Sequence, residues 1–331
     1  MDLYQQALIA DPRHSGSLHH LGLIAIKIGR PEVAVDMIGQ AIALNETNAT
    51  LHHDISFALI ALDRHADAVR HAQRAIALKP DHANAYLLLG DAFLKLRKLD
   101  EAIAIYRRGL ALDPTHAEAY NNLAEALFAQ GHLNEAAQSF KEALRLKPDL
   151  VTAYNNLATI YFLAGDAPHA LNVIMQGLQI EETPLLRTMF FNYLRHAPSI
   201  PDSSAFRQHV VRAMSEPWGR PGAIVTACIT LVKCDLRIKR SIDRAAAAWP
   251  QRLSCEELSD GLRAAGGDPV MRALLLNAYV NDIALERFLT LARSALLEAA
   301  AATPATGNID DAILAFACTL ARQCFINEYV F

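Results

Sequence analysis

The sequence contains little cysteine and no long apolar segment. Its 5 cysteines all lie beyond residue 220, and none is spaced as a CxxC pair or a zinc knuckle. This argues against a disulfide-stapled secreted protein and favours a reducing, cytoplasmic setting. No stretch reaches the roughly 18 consecutive apolar residues that a membrane-spanning helix needs, and residues 1–5 lack the features of a secretory signal. We therefore expect no membrane partner.

The chain also lacks a strong excess of charge of either sign. It has 31 Lys and Arg against 35 Asp and Glu, for a net charge of −4. Residues 1–183 carry 15 basic against 21 acidic side chains, and residues 184–331 carry 16 against 14. Neither part is basic enough to predict a nucleic-acid partner.

The sequence motifs that usually carry catalysis are missing. There is no P-loop, no GxGxxG, no GxSxG nucleophile elbow and no HExxH pair. The sequence therefore predicts no catalytic residue, no cofactor and no bound metal, and we expect a protein that is not an enzyme.

The sequence does contain a strong 34-residue period. Residues of one type or size recur at this spacing in four sets: Pro80, Pro114 and Pro148; Tyr86, Tyr120 and Tyr154; Ala34, Ala68, Ala102, Ala136 and Ala170; and Gly22, Ser56, Gly90, Ala124 and Ala158. Such agreement at one period predicts a repeat architecture. The small residues allow two antiparallel helices to approach closely, and each proline ends a unit because it cannot continue a helix.

This pattern resembles the tetratricopeptide repeat over residues 1–183. The resemblance implies an all-α solenoid, a right-handed superhelix of helix pairs, with a half repeat followed by five full repeats. The full repeats are expected at about 14–47, 48–81, 82–115, 116–149 and 150–183. Repeat two departs most from the pattern, and His52 stands there where an aromatic residue is usual. At the end of repeat one, Glu46 stands where a proline is usual.

In solenoids of this family the first helices line a concave groove that commonly binds peptides. The groove residues predicted here are His19, His20, His53, Asp54, Asp91, Asn121, Asn122, Glu125, Asn155 and Asn156. An amide side chain has donors and an acceptor, and so can pair with the backbone of any extended peptide. The twice-repeated Ala-Tyr-Asn-Asn-Leu-Ala is similar to the asparagine ladder of O-linked N-acetylglucosamine transferase solenoids. The alternative is that these polar residues are simply solvated.

The histidines also raise the question of a metal site. His19 and His53 occupy equivalent positions on neighbouring first helices. Packed helix axes lie roughly 8–10 Å apart, so equivalent side chains meet only by leaning together. Solvated or peptide-contacting histidines are therefore the preferred interpretation.

Residues 184–331 predict a helical domain without a repeat. Helices are expected at about 184–197, 202–216, 221–234, 238–249, 254–265, 268–279, 281–300 and 308–330. The phrases at 216–221 and 322–331 resemble the linker of bacterial tetratricopeptide-repeat proteins that continue into a class I S-adenosylmethionine-dependent methyltransferase. The domain is therefore expected to be truncated. The apolar ending at 329–331 predicts a contact with a downstream domain or a second copy.

The expected function is that of a non-catalytic scaffold whose groove binds a peptide or protein segment. Two alternatives stay open at the sequence level. One is the targeting or regulatory region of a longer bacterial methyltransferase. The other is the recruiting arm of a glycosyltransferase similar to O-linked N-acetylglucosamine transferase.

Overall fold

The computed structural model describes residues 2–302 and 310–327. These residues form nineteen α-helices and one short 3₁₀ helix, Pro221–Ile224, and contain no β-strand. The predicted all-α class is confirmed. The chain divides into two compact units, 1–157 and 158–331, with the division inside the tenth helix. The predicted domain boundary after residue 183 stays a prediction.

The first unit is a succession of helix pairs. Its helices are α1 Asp2–Ala10, α2 Ser15–Lys27, α3 Pro31–Leu44, α4 Ala49–Ala61, α5 His65–Leu78, α6 Ala83–Lys95, α7 Leu99–Leu112, α8 Ala117–Ala129, α9 Leu133–Leu146 and most of α10 Val151–Leu163. Each predicted repeat in this unit begins with a first helix of 13 residues and continues into a second of 14. The helix pairing expected from the 34-residue period is therefore present.

The first helices of successive repeats touch one another. Helix α4 contacts both α2 and α6, and α6 contacts α8, in addition to the contacts that each makes with its own second helix. The second helices α3, α5, α7 and α9 make no contacts of this extent with one another. The first helices therefore line the inner side of the array, and their exposed side chains form its inner face.

Close packing within each pair depends on the column of small residues. A Cβ atom added at Gly22 would lie 2.5 Å from Cγ1 of Ile38, and one added at Gly90 would lie 2.6 Å from Cε1 of Tyr106. Ala136 in the opposing column is fully buried. Large side chains on one helix thus fill the space that small residues leave on the other.

The turn between the two helices of a pair uses one backbone conformation throughout. A residue with positive φ occupies the same register position in all five repeats, namely Gly29, Asp63, Arg97, Gly131 and Gly165. Glycine adopts this left-handed conformation without strain, whereas a side chain makes it unfavourable. The chain connection therefore imposes the conformation even where the residue does not favour it.

The second unit continues with further helices. These are α11 Ala167–Ile180, α12 Pro184–His196, α13 Ser204–Ser215, α14 Val225–Cys234, α15 Leu236–Ala248, α16 Cys255–Gly267, α17 Pro269–Asn277, α18 Ile283–Ala302 and α19 Asp311–Asn327. With the 3₁₀ helix counted together with α14, each of the eight predicted helices begins within three residues of its expected position. None of the helices in the described ranges is long and apolar enough to cross a lipid bilayer.

Helix α12 packs in the manner of one more first helix. It contacts α11 as α8 contacts α7. The Tyr193 hydroxyl lies 3.1 Å from the Thr159 hydroxyl, exactly one repeat period earlier in the chain, and the Tyr193 ring stacks on Phe162 at 4.3 Å. The stacking of helices thus continues past the point where the sequence repeat fades.

The phrase at 216–221 has a packing role in this unit. Trp218 is 5% exposed, and its Nε1 donates to a carboxylate oxygen of Glu216. The Arg212 guanidinium lies 5.2 Å from the Trp218 ring centroid, and a Cβ atom at Gly219 would lie 2.5 Å from Cε1 of Phe191. These contacts account for the tryptophan and the glycine within the fold. The apolar ending at 329–331 lies outside the described residues.

Candidate functional site

The ten predicted groove residues all lie on first helices. His19 and His20 are on α2, His53 and Asp54 on α4, Asp91 on α6, Asn121, Asn122 and Glu125 on α8, and Asn155 and Asn156 on α10. Positions i and i+4 of a helix lie on one face, and this places Asn121 and Glu125 together. Nine of the ten, all except His20, form a hydrogen bond with another residue of the set, as described below.

The first group, called here the histidine–aspartate group, consists of His19, His53 and Asp54. Nε2 of His19 donates to Oδ2 of Asp54 at 2.6 Å, and Nδ1 of His53 donates to Oδ1 at 2.8 Å. Burial raises the pKa of Asp54, but the hydrogen bonds and charges of the two histidines outweigh it and lower the pKa to about 2. Asp54 is therefore ionised at neutral pH and holds both rings in place.

Further aromatic rings surround this group. His20 stacks between Tyr4 and His19, with ring centroids 4.9 and 5.7 Å away. His82 lies 4.8 Å from His53, and burial together with the charge of His53 lowers the pKa of His82. Within 2–302 and 310–327, no group of three or more His, Cys, Asp or Glu is arranged to hold a metal ion.

The second group, called here the amide–carboxylate network, consists of Asp91, Tyr106, Asn121, Asn122 and Glu125. Asn122 Nδ2 donates to Asp91 Oδ1 at 2.8 Å, and the Tyr106 hydroxyl donates to the same oxygen at 2.5 Å. Asn121 Nδ2 donates to Asn122 Oδ1 at 3.2 Å and to Glu125 Oε1 at 2.9 Å. The network thus spans three helices of two neighbouring repeats.

Burial dominates the electrostatics of the network. It raises the pKa of Asp91 by more than the hydrogen bonds from Tyr106 and Asn122 lower it. Burial and the neighbouring charge of Asp91 also raise the pKa of Tyr106, so this hydroxyl stays a donor. Asn121 is 7% exposed, and its Oδ1 is shielded from solvent without a donor among the described residues. A shielded acceptor of this kind costs about 1–3 kcal/mol of stability.

Asn155 and Asn156 repeat part of this arrangement one repeat later. Asn155 Nδ2 lies 3.4 Å from Asn156 Oδ1, the same pairing as between Asn121 and Asn122. Both side chains are partly exposed. Asn156 on α10 is partly exposed, whereas one amide hydrogen of Asn122 is already used on Asp91.

The sequence interpretation missed two features of this face. Tyr106 lies on a second helix, where the only sequence signal of a polar role is that its register partners Phe140 and Ile174 have no hydroxyl. Leu87 and Leu88 occupy the register positions of the predicted groove residues Asn121 and Asn122, but both are buried. Polar side chains are therefore absent from that part of α6 until Asp91, one turn further on.

Comparison with known protein families indicates which residues match a repeat family. Tetratricopeptide-repeat family models match residues 15–48 and, in three overlapping segments, residues 58–117, 93–151 and 121–174. No curated protein sequence is significantly similar to this chain. The matched residues end at 174, and the resemblance of the second half to methyltransferase linkers finds no support in these comparisons.

Several solved structures are similar in part. A crystal structure of MamA is 30% identical over 44% of this chain and 85% of its own, with a TM-score of 0.42. MamA from Desulfovibrio magneticus RS-1, from residue 41 to its end, is 19% identical over 50% of this chain and 94% of its own, with a TM-score of 0.47. YrrB, described as a TPR protein with an unusual peptide-binding site, is 17% identical over 55% and 94%, with a TM-score of 0.47.

The family models and the observed helix pairs agree on the same residues. The matched segments cover α2 and α3 and then continue from the end of α4 to the middle of α11. Residues 15–48 and 58–174 of this chain are therefore tetratricopeptide repeats.

Proposed function

We propose that this chain is a non-catalytic scaffold that captures an extended peptide or protein segment along the inner face of its repeats. The observation that carries the proposal is a row of polar side chains on successive first helices, already held by hydrogen bonds to one another. Side chains ordered before binding lose little conformational entropy when a ligand arrives. This order favours a binding role of the inner face over simple solvation of its polar side chains.

An exposed aromatic residue on the same face supports the proposal. Phe57 on α4 is 49% exposed and occupies the register position of Asp91 and Glu125. A large apolar side chain left in solvent among polar neighbours is typical of an interaction surface. It would supply apolar contact, while Asn156 and the neighbouring polar groups hydrogen-bond a peptide backbone.

The methyltransferase and glycosyltransferase alternatives add a catalytic domain to this same role. Neither has an observation in its favour among the described residues or the comparisons. The proposal is therefore restricted to capture of a segment by the repeats.

The test uses a pair of matched substitutions in the full chain. Phe57 on a first helix and Leu112 on the second helix α7 are 49% and 46% exposed, so replacing either by Ala removes few core contacts. A phage-displayed library of random heptapeptides is selected on the immobilised chain, and the affinities of the enriched peptides are measured by fluorescence anisotropy. We expect Phe57→Ala to weaken binding about tenfold, which is ~1.4 kcal/mol, and Leu112→Ala to leave it nearly unchanged.

Two outcomes would contradict the proposal. One is the absence of any enrichment over beads without protein. The other is an equal loss of affinity in both variants, which would indicate binding away from the inner face.

A further inference from the structure

We propose that the amide–carboxylate network is a subsite for a basic side chain, arginine or lysine, of the bound segment. This inference rests on the proposed function and adds the chemical class of the ligand. Four observations carry it: the balance of donors and acceptors in the network, the placement of both hydrogen bonds on one oxygen of Asp91, the absence of an ion pair to either carboxylate within the described residues, and the unpaired oxygen of the buried Asn121 amide.

Most donors of the network already form hydrogen bonds with acceptors inside it. The Tyr106 hydroxyl and both hydrogens of the Asn121 amide are directed at oxygens inside it. Among the described residues, no donor reaches Asp91 Oδ2, Glu125 Oε2 or Asn121 Oδ1. The groups left over are acceptors, two of them on carboxylates. What the network lacks is a donor, and a charged donor makes the stronger hydrogen bond.

The fold alone does not require a carboxylate at position 91. Tyr106 and Asn122 both donate to Oδ1, so the carbonyl oxygen of an asparagine at this position would accept both bonds without a buried charge. The carboxylate adds a second oxygen, Oδ2, and a negative charge. Both are unused by the described residues, and both suit a cationic donor.

The described residues do not neutralise these carboxylates by direct contact. No Lys, Arg or His nitrogen of the described residues lies within 4.0 Å of a carboxylate oxygen of Asp91 or Glu125. His116 and Lys95 influence Asp91 only through space. Many other acidic side chains in the repeats do have such a partner, as Glu118 has Lys147.

Asn121 is an observation independent of the charges. Its side chain is more than nine-tenths buried, and its amide lies between Asn122 and Glu125 with its own oxygen unpaired. Buried amide oxygens normally have a donor. An unfilled one inside the network indicates that its hydrogen bonding is completed by something other than these residues.

Arginine suits this site best. Its planar guanidinium has five donors and bridges two carboxyl groups, whereas lysine provides a single charged centre. Asp91 and Glu125 lie at the same register position on the neighbouring first helices α6 and α8. Phe57 occupies this position on α4, the first helix before α6. The matching ligand is an extended segment with a basic residue close to an apolar one.

The test repeats the heptapeptide selection in parallel on the full chain and on its Asp91→Asn variant. Peptides from the wild-type selection should be enriched in Arg and Lys by about threefold or more, and those from the variant should not. One enriched peptide is then synthesised with its basic residue as Arg or as citrulline, the neutral isostere. We expect citrulline to weaken binding about tenfold to the wild type and hardly at all to Asp91→Asn or Glu125→Gln. Glu142→Gln on the second helix α9 makes the same charge change and should behave as the wild type.

The outcomes separate the two proposals. If peptides are enriched and lose affinity with Phe57→Ala but show no preference for basic residues, capture by the inner face stands and the basic subsite is wrong. Equal loss on citrulline substitution in the wild type and in both carboxylate variants would also overturn the subsite. If no peptide is enriched, the proposed function itself fails, and this inference fails with it.

Discussion

At the residue scale, stability and the proposed binding make opposite demands on position 91. An amide there would favour stability, whereas a carboxylate would favour the binding of a cation. Asp91 is a mostly buried acid whose pKa is raised, chiefly by that burial. For an acid whose folded pKa is raised, ionisation opposes folding above its unfolded value of about 3.9. The carboxylate therefore lowers stability at pH 7, and that loss disappears as the pH falls towards 4.

We predict that Asp91→Asn is at least as stable as the wild type at pH 7, because both hydrogen bonds to Oδ1 are kept and the buried charge is removed. Asp91→Leu should lose about 1–3 kcal/mol, because it leaves the Tyr106 hydroxyl and the Asn122 amide without their acceptor. Urea unfolding at pH 7 and pH 4 measures both variants. A loss above about 1 kcal/mol for Asp91→Asn would show that Oδ2 has a structural role in the folded chain.

The interhelical turns provide a second test at this scale. Arg97 has φ of 60° at the position where three other repeats have glycine. A residue with a side chain costs about 1–2 kcal/mol in this left-handed backbone conformation. Replacement by glycine removes that cost, but the greater conformational freedom of glycine in the unfolded chain offsets part of the gain in stability. We predict that Arg97→Gly raises stability by about 0.5–1 kcal/mol.

The control for this substitution is Arg108→Gly, an exposed position inside α7, which should instead lose about 1 kcal/mol. Thermal and urea unfolding distinguish the two variants. A loss of stability in Arg97→Gly would mean that its side chain makes a stabilising contact that outweighs the strain of the turn.

At the element scale, the second repeat has an unusual core. His52, buried on α4, lies with its Nδ1 3.0 Å from Nδ1 of His71 on α5, and its Nε2 lies 3.1 Å from the carbonyl oxygen of Glu46. A carbonyl only accepts, so Nε2 of a neutral His52 holds the hydrogen and His71 donates to His52 Nδ1. Burial, and then the charge of His52, lower the pKa of His71.

The sign of the resulting pH effect follows from that shift. A histidine whose folded pKa is lowered contributes its full stability above the unfolded value of about 6.5 and loses it as the pH falls from there towards the folded pKa. We predict that the amide-exchange protection of α4 and α5 falls relative to α8 and α9 between pH 7.5 and 5.5. The protection of α4 and α5 should be lower than that of α8 and α9 even at pH 7.5.

His52→Tyr is the matched control, because Tyr86 and Tyr120 occupy this register position in the next two repeats. It should remove most of the pH dependence from α4 and α5. Equal protection of the two helix pairs at both pH values would count against a weaker second repeat.

At the scale of the whole molecule, the end of the sequence repeat and the end of the helix stacking differ. The repeat pattern ends at 183, but α12 packs on α11 as a further first helix, with Leu186, Phe190 and Leu194 buried. Repeat arrays need a terminal element that covers the apolar surface of the last repeat. In this chain α12 takes that place.

We predict that a fragment of residues 1–196 is more stable than a fragment of residues 1–183. Without α12 the apolar face of α11 is left in water, so the free energy of unfolding of the shorter fragment should be lower by several kcal/mol. Each kcal/mol corresponds to about 2–4 °C in Tm. Circular dichroism and light scattering on both fragments measure this. Equal melting temperatures would show that the array ends at 183, as the sequence repeat suggests.

Much of this fold was determined by the sequence alone. The 34-residue period and the columns of small residues predicted the helix pairs, and in the second half Ser203 and Ser254 cap the helices that begin directly after them. These features depend on neighbours within a few residues along the chain. Helix formation and its ends are governed by such local interactions, so the pattern is readable without coordinates.

The tertiary structure alone decided which polar side chains of the inner face meet. Asp91 accepts hydrogen bonds from Tyr106 and Asn122, 15 and 31 residues away in sequence, and α12 continues the stacking without the repeat. Leu88, at the same position in its helix as Asn122, turned out to be buried. Such contacts depend on ångström-scale offsets between neighbouring helices and on side-chain rotamers, since the donor–acceptor distance of a typical hydrogen bond varies only between about 2.7 and 3.2 Å. A repeat period shared by every unit contains no information at that resolution.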